Sequence, residues 1–66
     1  MTKISTEFIR LEQFLKLCNE CSTGGQAKQM ISAGLVLVNE ETELRRGRKL
    51  VVGDTVTIEG RNYEVE

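Results

Sequence analysis

Gly34-Leu35-Val36-Leu37-Val38-Asn39 is the point at which this 66-residue chain changes its period. Before Gly34 the apolar residues recur at helical spacing, and after it they run or alternate as strands do. Leu35 to Val38 is an aliphatic, valine-rich run suited to a pleated sheet. Gly34 is a fitting helix stop, because glycine takes the left-handed conformation that closes a helix.

Working back from Gly34, Ala27, Met30 and Ile31 form the buried side of a helix running from about Gly24 to Ala33. Thr23 followed by Gln26 fits a capping box at its start. The stretch from Asn19 to Gly25 breaks the helical pattern. Before it, Leu11, Phe14, Leu15 and Cys18 stand at i, i+3, i+4 and i+7, the apolar stripe of a first helix over residues 10–18. Arg10, Glu12, Gln13 and Lys16 fall on its outward side. Lys3-Ile4-Ser5 reads as a further edge strand.

Working forward, Asn39 to Thr42 are turn-forming polar residues. Val51 and Val52 lead into a Gly53-Asp54 turn, in which Asp54 is a turn residue without a partner for acid–base chemistry. Thr55-Val56-Thr57-Ile58 alternates as a half-buried strand. Gly60-Arg61-Asn62 then turns the chain into Tyr63-Glu64-Val65, a short strand expected to pair with residues 55–59. The fold class is α+β, a two-helix layer on a small, mainly antiparallel sheet, in one domain spanning 1–66. No linker, repeat or low-complexity segment interrupts it.

The apolar fraction of 39% is too high for disorder, yet 66 residues lie near the lower limit for a metal-free, disulfide-free core. Phe8, Phe14 and Tyr63 are the aromatics, too few for a base-stacking platform. No run approaches a membrane span and the N-terminus lacks a signal-peptide core, so a cytoplasmic location is expected. Histidine is absent, and so short a chain has little room for a small-molecule pocket. An enzyme is therefore not expected, nor any cofactor.

Charge is distributed very unevenly. Nine Lys and Arg oppose ten Asp and Glu, a formal net charge of −1. Within Leu44-Arg45-Arg46-Gly47-Arg48-Lys49-Leu50, residues 45–49 carry +4, so the rest of the chain sums to −5. Such a spot suits phosphate, hence nucleic acid. Arginine forks grip phosphate oxygens bidentately, and Gly47 is read as a bend between two cationic pairs. If three or four of these side chains neutralise phosphates, the salt slope is about −2 to −3. The competing reading is a solvated loop in which Arg46 or Lys49 pairs with Glu41 or Glu43.

Two further features have paired readings. Gly24-Gly25 in a first helical turn costs about 1 kcal/mol per residue against alanine. Either bare N–H groups admit an anion, with Lys28 assisting, or the glycines relieve crowding in a tight turn. Cys18-Asn19-Glu20-Cys21 has the spacing of half a zinc site, but no other Cys and no His complete it. Cys18 is read as a core residue and Cys21 as a loop or partly buried thiol.

The ordered set Arg10-Leu11-Glu12-Gln13-Phe14-Leu15-Lys16, Gln26-Ala27-Lys28-Gln29-Met30-Ile31, Gly34 to Asn39 and Gly53-Asp54-Thr55-Val56 resembles the S4 RNA-binding domain over about residues 8–60. Ser22 to Lys28 and Arg45 to Leu50 further resemble the free-standing, single-domain bacterial members. The resemblance implies two antiparallel helices against a hairpin sheet, and binding of structured RNA, often ribosomal RNA. By position it implies contacts from Arg10 and Lys16 on the first helix and from Thr23, Gln26, Lys28 and Gln29 on the second. Gly24 and Gly25 lie among these, and the bacterial motif adds Arg45, Arg46, Arg48 and Lys49. Many members carry several cations on the second helix where this chain has Lys28 alone, which shifts the expected weight onto 45–49. The alternative class is a protein–protein adaptor on an S4-like fold that has lost RNA binding. It would be favoured if Glu40, Glu41 and Glu43 neutralised the loop on its own face.

Overall fold

A computed structural model describes residues 7–66 of the chain, so the expected strand at Lys3-Ile4-Ser5 lies outside the described residues. The first apolar stripe folds as helix α1, Leu11–Leu17, and buries Leu11, Phe14 and Leu15 completely. Arg10 is not in the helix. It is the extended N-cap residue and forms, with Ile9, the two-residue strand β1, Ile9–Arg10. The cause is a competing set of acceptors: the amides of Leu11 and Glu12 donate to Arg48 and Arg46 carbonyls at 2.8 and 3.0 Å. These satisfy free N–H groups of the first helical turn from outside.

Both helices end in the same way. Asn19 takes φ 62° while its amide donates to Lys16 and the Glu20 amide to Leu15. Gly34 takes φ 78° after helix α2, Gly24–Ser32, with the Gly34 amide donating to Ile31 and Leu35 to Met30. These paired bonds satisfy the last free carbonyls. Thr23 caps α2 as expected, its hydroxyl accepting from the Gln26 amide at 3.2 Å. The Gln26 side-chain oxygen reaches back to the Ser22 amide at 2.7 Å, one residue earlier than in the simple box. Ala27 and Ile31 are buried and Met30 is half-buried against the core.

The sheet is built from strands β2, Val36–Val38, β3, Glu41–Thr42, β5, Thr55–Ile58, and β6, Arg61–Glu64, in the order β3-β2-β5-β6, all antiparallel. Two turns are tighter than the sequence suggests. Asn39-Glu40 has φ of 51° and 72°, and Glu59-Gly60 has 49° and 85°. Two left-handed residues match the strand twist of a two-residue hairpin, so the next residue already pairs. Hence Glu41 and Thr42 are strand rather than turn, and Arg61 and Asn62 begin β6 rather than preceding it.

Strand β4, Lys49–Leu50, lies apart from this sheet and pairs with β1, matching Ile9 to Leu50 and Arg10 to Lys49. Val36, Val38, Val56 and Ile58 alternate inward from the larger sheet to meet Leu11, Phe14, Leu15, Ala27 and Ile31 from the helices. Leu50 and Val65 complete the core, and each of these residues is at most 2% exposed. Asp54 is a turn residue: its carboxylate accepts from the Val51 amide and from the Asn39 side chain at 2.9 and 3.1 Å. No helix among the described residues is long and apolar enough to cross a membrane.

Candidate nucleic-acid interface

The cationic loop is built on one buried acid. The Glu43 amide donates to the Val36 carbonyl at 3.0 Å, which fixes the start of the loop beside β2. Its carboxylate is 7% exposed and accepts from Arg45 through the amide, Nε and Nη2 at 3.1, 3.0 and 3.3 Å. Arg48 Nη1 donates to the same carboxylate at 2.7 Å. Hydrogen bonds from Arg45, then Arg48, hold the Glu43 carboxyl down to about 2 against burial, which pushes the other way. The same contact raises the Arg45 guanidinium.

The far side of the loop is attached to α1. Besides the two backbone bonds to Leu11 and Glu12, Arg10 Nη1 donates to the Gly47 carbonyl at 2.8 Å. Arg46 Nε lies 3.9 Å from Glu12 Oε2, a long contact between exposed groups. Lys49 Nζ stands 4.9 Å and Arg10 Cζ 5.8 Å from the centroid of the Phe8 ring. The competing reading, in which Arg46 or Lys49 pairs with Glu41 or Glu43, is not the arrangement seen: Arg45 and Arg48 take Glu43, and Arg46 approaches Glu12. The loop turns back on itself, with the Arg48 amide bonded to the Arg45 carbonyl at 3.2 Å, and this brings those two arginines to one carboxylate. Gly47 is not required by its backbone, since its φ is not left-handed and a Cβ would sit 3.6 Å from Arg10 Nη1, an ordinary contact.

The second group of expected contacts lies at the start of α2. A Cβ on Gly24 would meet nothing within 4 Å, and one on Gly25 would meet Thr23 Oγ1 at 3.8 Å. Crowding therefore does not account for this pair of glycines. The Thr23 hydroxyl and the Gln26 side chain are engaged in the cap, while Lys28 and Gln29 are exposed on the helix. Lys16, half-buried in the last turn of α1, lies close enough to Cys21 for its charge to offset part of the rise that burial imposes on that thiol. Arg10 precedes α1 and Lys16 lies in its last turn, about 7.5 Å along the axis from Leu11.

A cluster that the sequence reading missed holds the α1–α2 connection in place. Arg61 donates from Nε and Nη2 to Glu20, both at 2.8 Å, and the Tyr63 hydroxyl donates to the same carboxylate. Arg61 first and Tyr63 second lower the Glu20 carboxyl. Nothing local signals this, because 41 residues separate Glu20 from Arg61. The roles of Phe8 and Glu12 were missed for a related reason: a two-residue strand has no periodicity to read. Cys18 and Cys21 are both half-buried and packed against the core. Among the described residues, no group of three or more His, Cys, Asp or Glu side chains is placed to hold a metal.

A helical pair on an antiparallel sheet, with a four-cation loop fastened to the first helix, defines a small α+β binding module. The chain belongs to the S4 domain family, whose model matches residues 2–66. It is 58% identical over 57 residues to a probable ribosome maturation protein, RlbA, of Bacillus subtilis, covering 86% of this chain and 80% of that one. Its fold is shared with the 30S ribosomal protein S4e of Thermoplasma acidophilum, with a TM-score of 0.68 at 20% identity. That match covers 91% of this chain and 32% of S4e, so the chain spans about a third of the longer protein.

Proposed function

We propose that this protein is a non-enzymatic binder of structured RNA, most directly ribosomal RNA in maturing ribosomal particles of the cytoplasm. The surface comprises Arg10, Lys16, the start of α2 from Thr23 to Gln29, and Arg45, Arg46, Arg48 and Lys49. The observation that carries this reading is the β1–β4 register, which sets Arg10 directly opposite Lys49. Like charges opposite one another in a strand pair destabilise it. Phosphate offsets that repulsion, and the backbone bonds from the loop to α1 present both cations together. Family membership and the ribosome maturation relative support the same partner.

The adaptor alternative required Glu40, Glu41 and Glu43 to cancel the loop on its surface. Glu43 is buried, and among the described residues the ion pairs to the loop come from Glu43 and Glu12. The test is fluorescence anisotropy with a structured ribosomal RNA fragment and with a single strand, across a salt series. The expected result is preference for the structured fragment with a salt slope of about −2 or steeper, reduced in an Arg45→Gln/Arg46→Gln variant. Absence of binding at the lowest salt would sink the RNA reading.

A further inference from the structure

We propose that Glu43 is a positioning residue of the RNA surface, whose buried carboxylate fixes Arg45 and Arg48 as a preset fork and leaves Arg10, Arg46 and Lys49 as the cations that neutralise phosphate. The inference rests on the RNA-binding reading above and divides the work within that surface.

An acid at the start of a phosphate-binding loop would ordinarily oppose binding. Three features give it a different role here. Glu43 is anchored by its own amide to β2, so the carboxylate has a fixed origin in the fold. It is buried, while the Arg45 side chain that it grips is 75% exposed. An arginine that exposed samples many rotamers unless something holds it, and two bonds from Nε and Nη2 do so. Finally, Arg45 spends its Nε/Nη2 edge on Glu43 and Arg48 spends Nη1, which leaves Nη1 of the first and Nε and Nη2 of the second available to an outside acceptor. Structured RNA is distinguished by the spatial arrangement of its phosphates and hydroxyls, and a fixed set of donors reads that arrangement where mobile cations do not. Arg46, Lys49 and Arg10 are attached less tightly: an ion pair of 3.9 Å, a ring contact of 4.9 Å and one carbonyl bond.

Muting the loop and positioning its arginines are roles for Glu43 that give opposite signs in one experiment. Glu43→Gln keeps the shape and removes the negative charge. If Glu43 merely mutes the loop, the variant binds every RNA more tightly, with a salt slope steeper by about 0.7–0.9. If Glu43 positions the arginines, binding to the structured fragment weakens about fivefold to tenfold despite the added positive charge, the size of one or two disordered charge-assisted contacts. The ratio of structured to single-strand affinity falls with it. Arg45→Lys and Arg48→Lys carry the test independently should Glu43→Gln unfold by circular dichroism. Each keeps its charge and loses the fork, so the expected outcome is weaker structured-RNA binding at an unchanged salt slope. Tighter or unchanged structured-RNA binding by Glu43→Gln, or wild-type affinity in both lysine variants, overturns the positioning role while the RNA reading stands. A wild-type protein that binds no RNA at low salt overturns both.

Discussion

Replacing Gly24 and Gly25 with alanine should move stability and RNA affinity in opposite directions. Both residues lie in the first turn of α2, neither has left-handed φ, and added methyl groups meet nothing closer than 3.8 Å. Alanine is favoured over glycine in a helix by about 1 kcal/mol at interior positions, and about 0.5 kcal/mol is a reasonable share in a first turn. The double variant should therefore gain about 1 kcal/mol, raising the melting temperature by about 4–8 °C for a domain of this size. If the glycines exist to let phosphate reach the bare N–H groups, the same methyls hold it away and affinity drops about tenfold, or about 1.4 kcal/mol. Thermal unfolding by circular dichroism and anisotropy at one fixed salt measure the two effects on one sample. A lower melting temperature would refute the packing argument. A higher one with unchanged RNA affinity would refute the anion-site reading.

Acid should destabilise the protein through Glu43. Its carboxyl is depressed from 4.5 to about 2, so its contribution is present above pH 4.5 and is lost as the pH falls toward 2. The upper bound is about 3 kcal/mol, nearer 1–2 after allowing for the exposed Arg45 partner. Glu20, also lowered, acts in the same sense. Urea midpoints at pH 7 and pH 3 measure the loss, which Glu43→Gln should reduce. Neutralising Arg46 and Lys49 together with glutamine should reduce the salt slope by about 1.4–1.8 and leave the melting temperature nearly unchanged. A slope that stays the same would place the phosphate contacts elsewhere. Phe14→Ala removes a fully buried ring at a cost of about 3–5 kcal/mol, comparable to the whole stability of so small a domain, and should leave it largely unfolded.

The helices and the two central strands were legible because their signals are periodic. Leu11, Phe14 and Leu15, then Ala27 and Ile31, fall where a 3.6-residue period puts them, and Val56 and Ile58 alternate as read. The stop at Gly34 and the cap at Thr23 were legible from residue chemistry. Strand ends were not. Glu40 and Glu59 adopt left-handed φ, which glutamate does not advertise, and the strands therefore begin earlier than the turn residues suggest. Arg10 was assigned to the helix because the loop that satisfies the first-turn amides comes from 34 to 37 residues away. The cationic cluster was visible in the sequence, but its division was not. That Glu43 takes Arg45 and Arg48 depends on a loop turning back toward β2, and no spacing rule encodes it.

Amide proton–nitrogen correlation spectra of the labelled protein, titrated with a structured ribosomal RNA fragment at low salt, test the central claim most directly. The predicted result is movement of the amides of Arg10 to Glu12, Thr23 to Gln29 and Arg45 to Lys49, with Thr57 and Asn62 on the sheet unmoved. Shifts concentrated on the sheet, or no shift at any ratio of RNA, would contradict it.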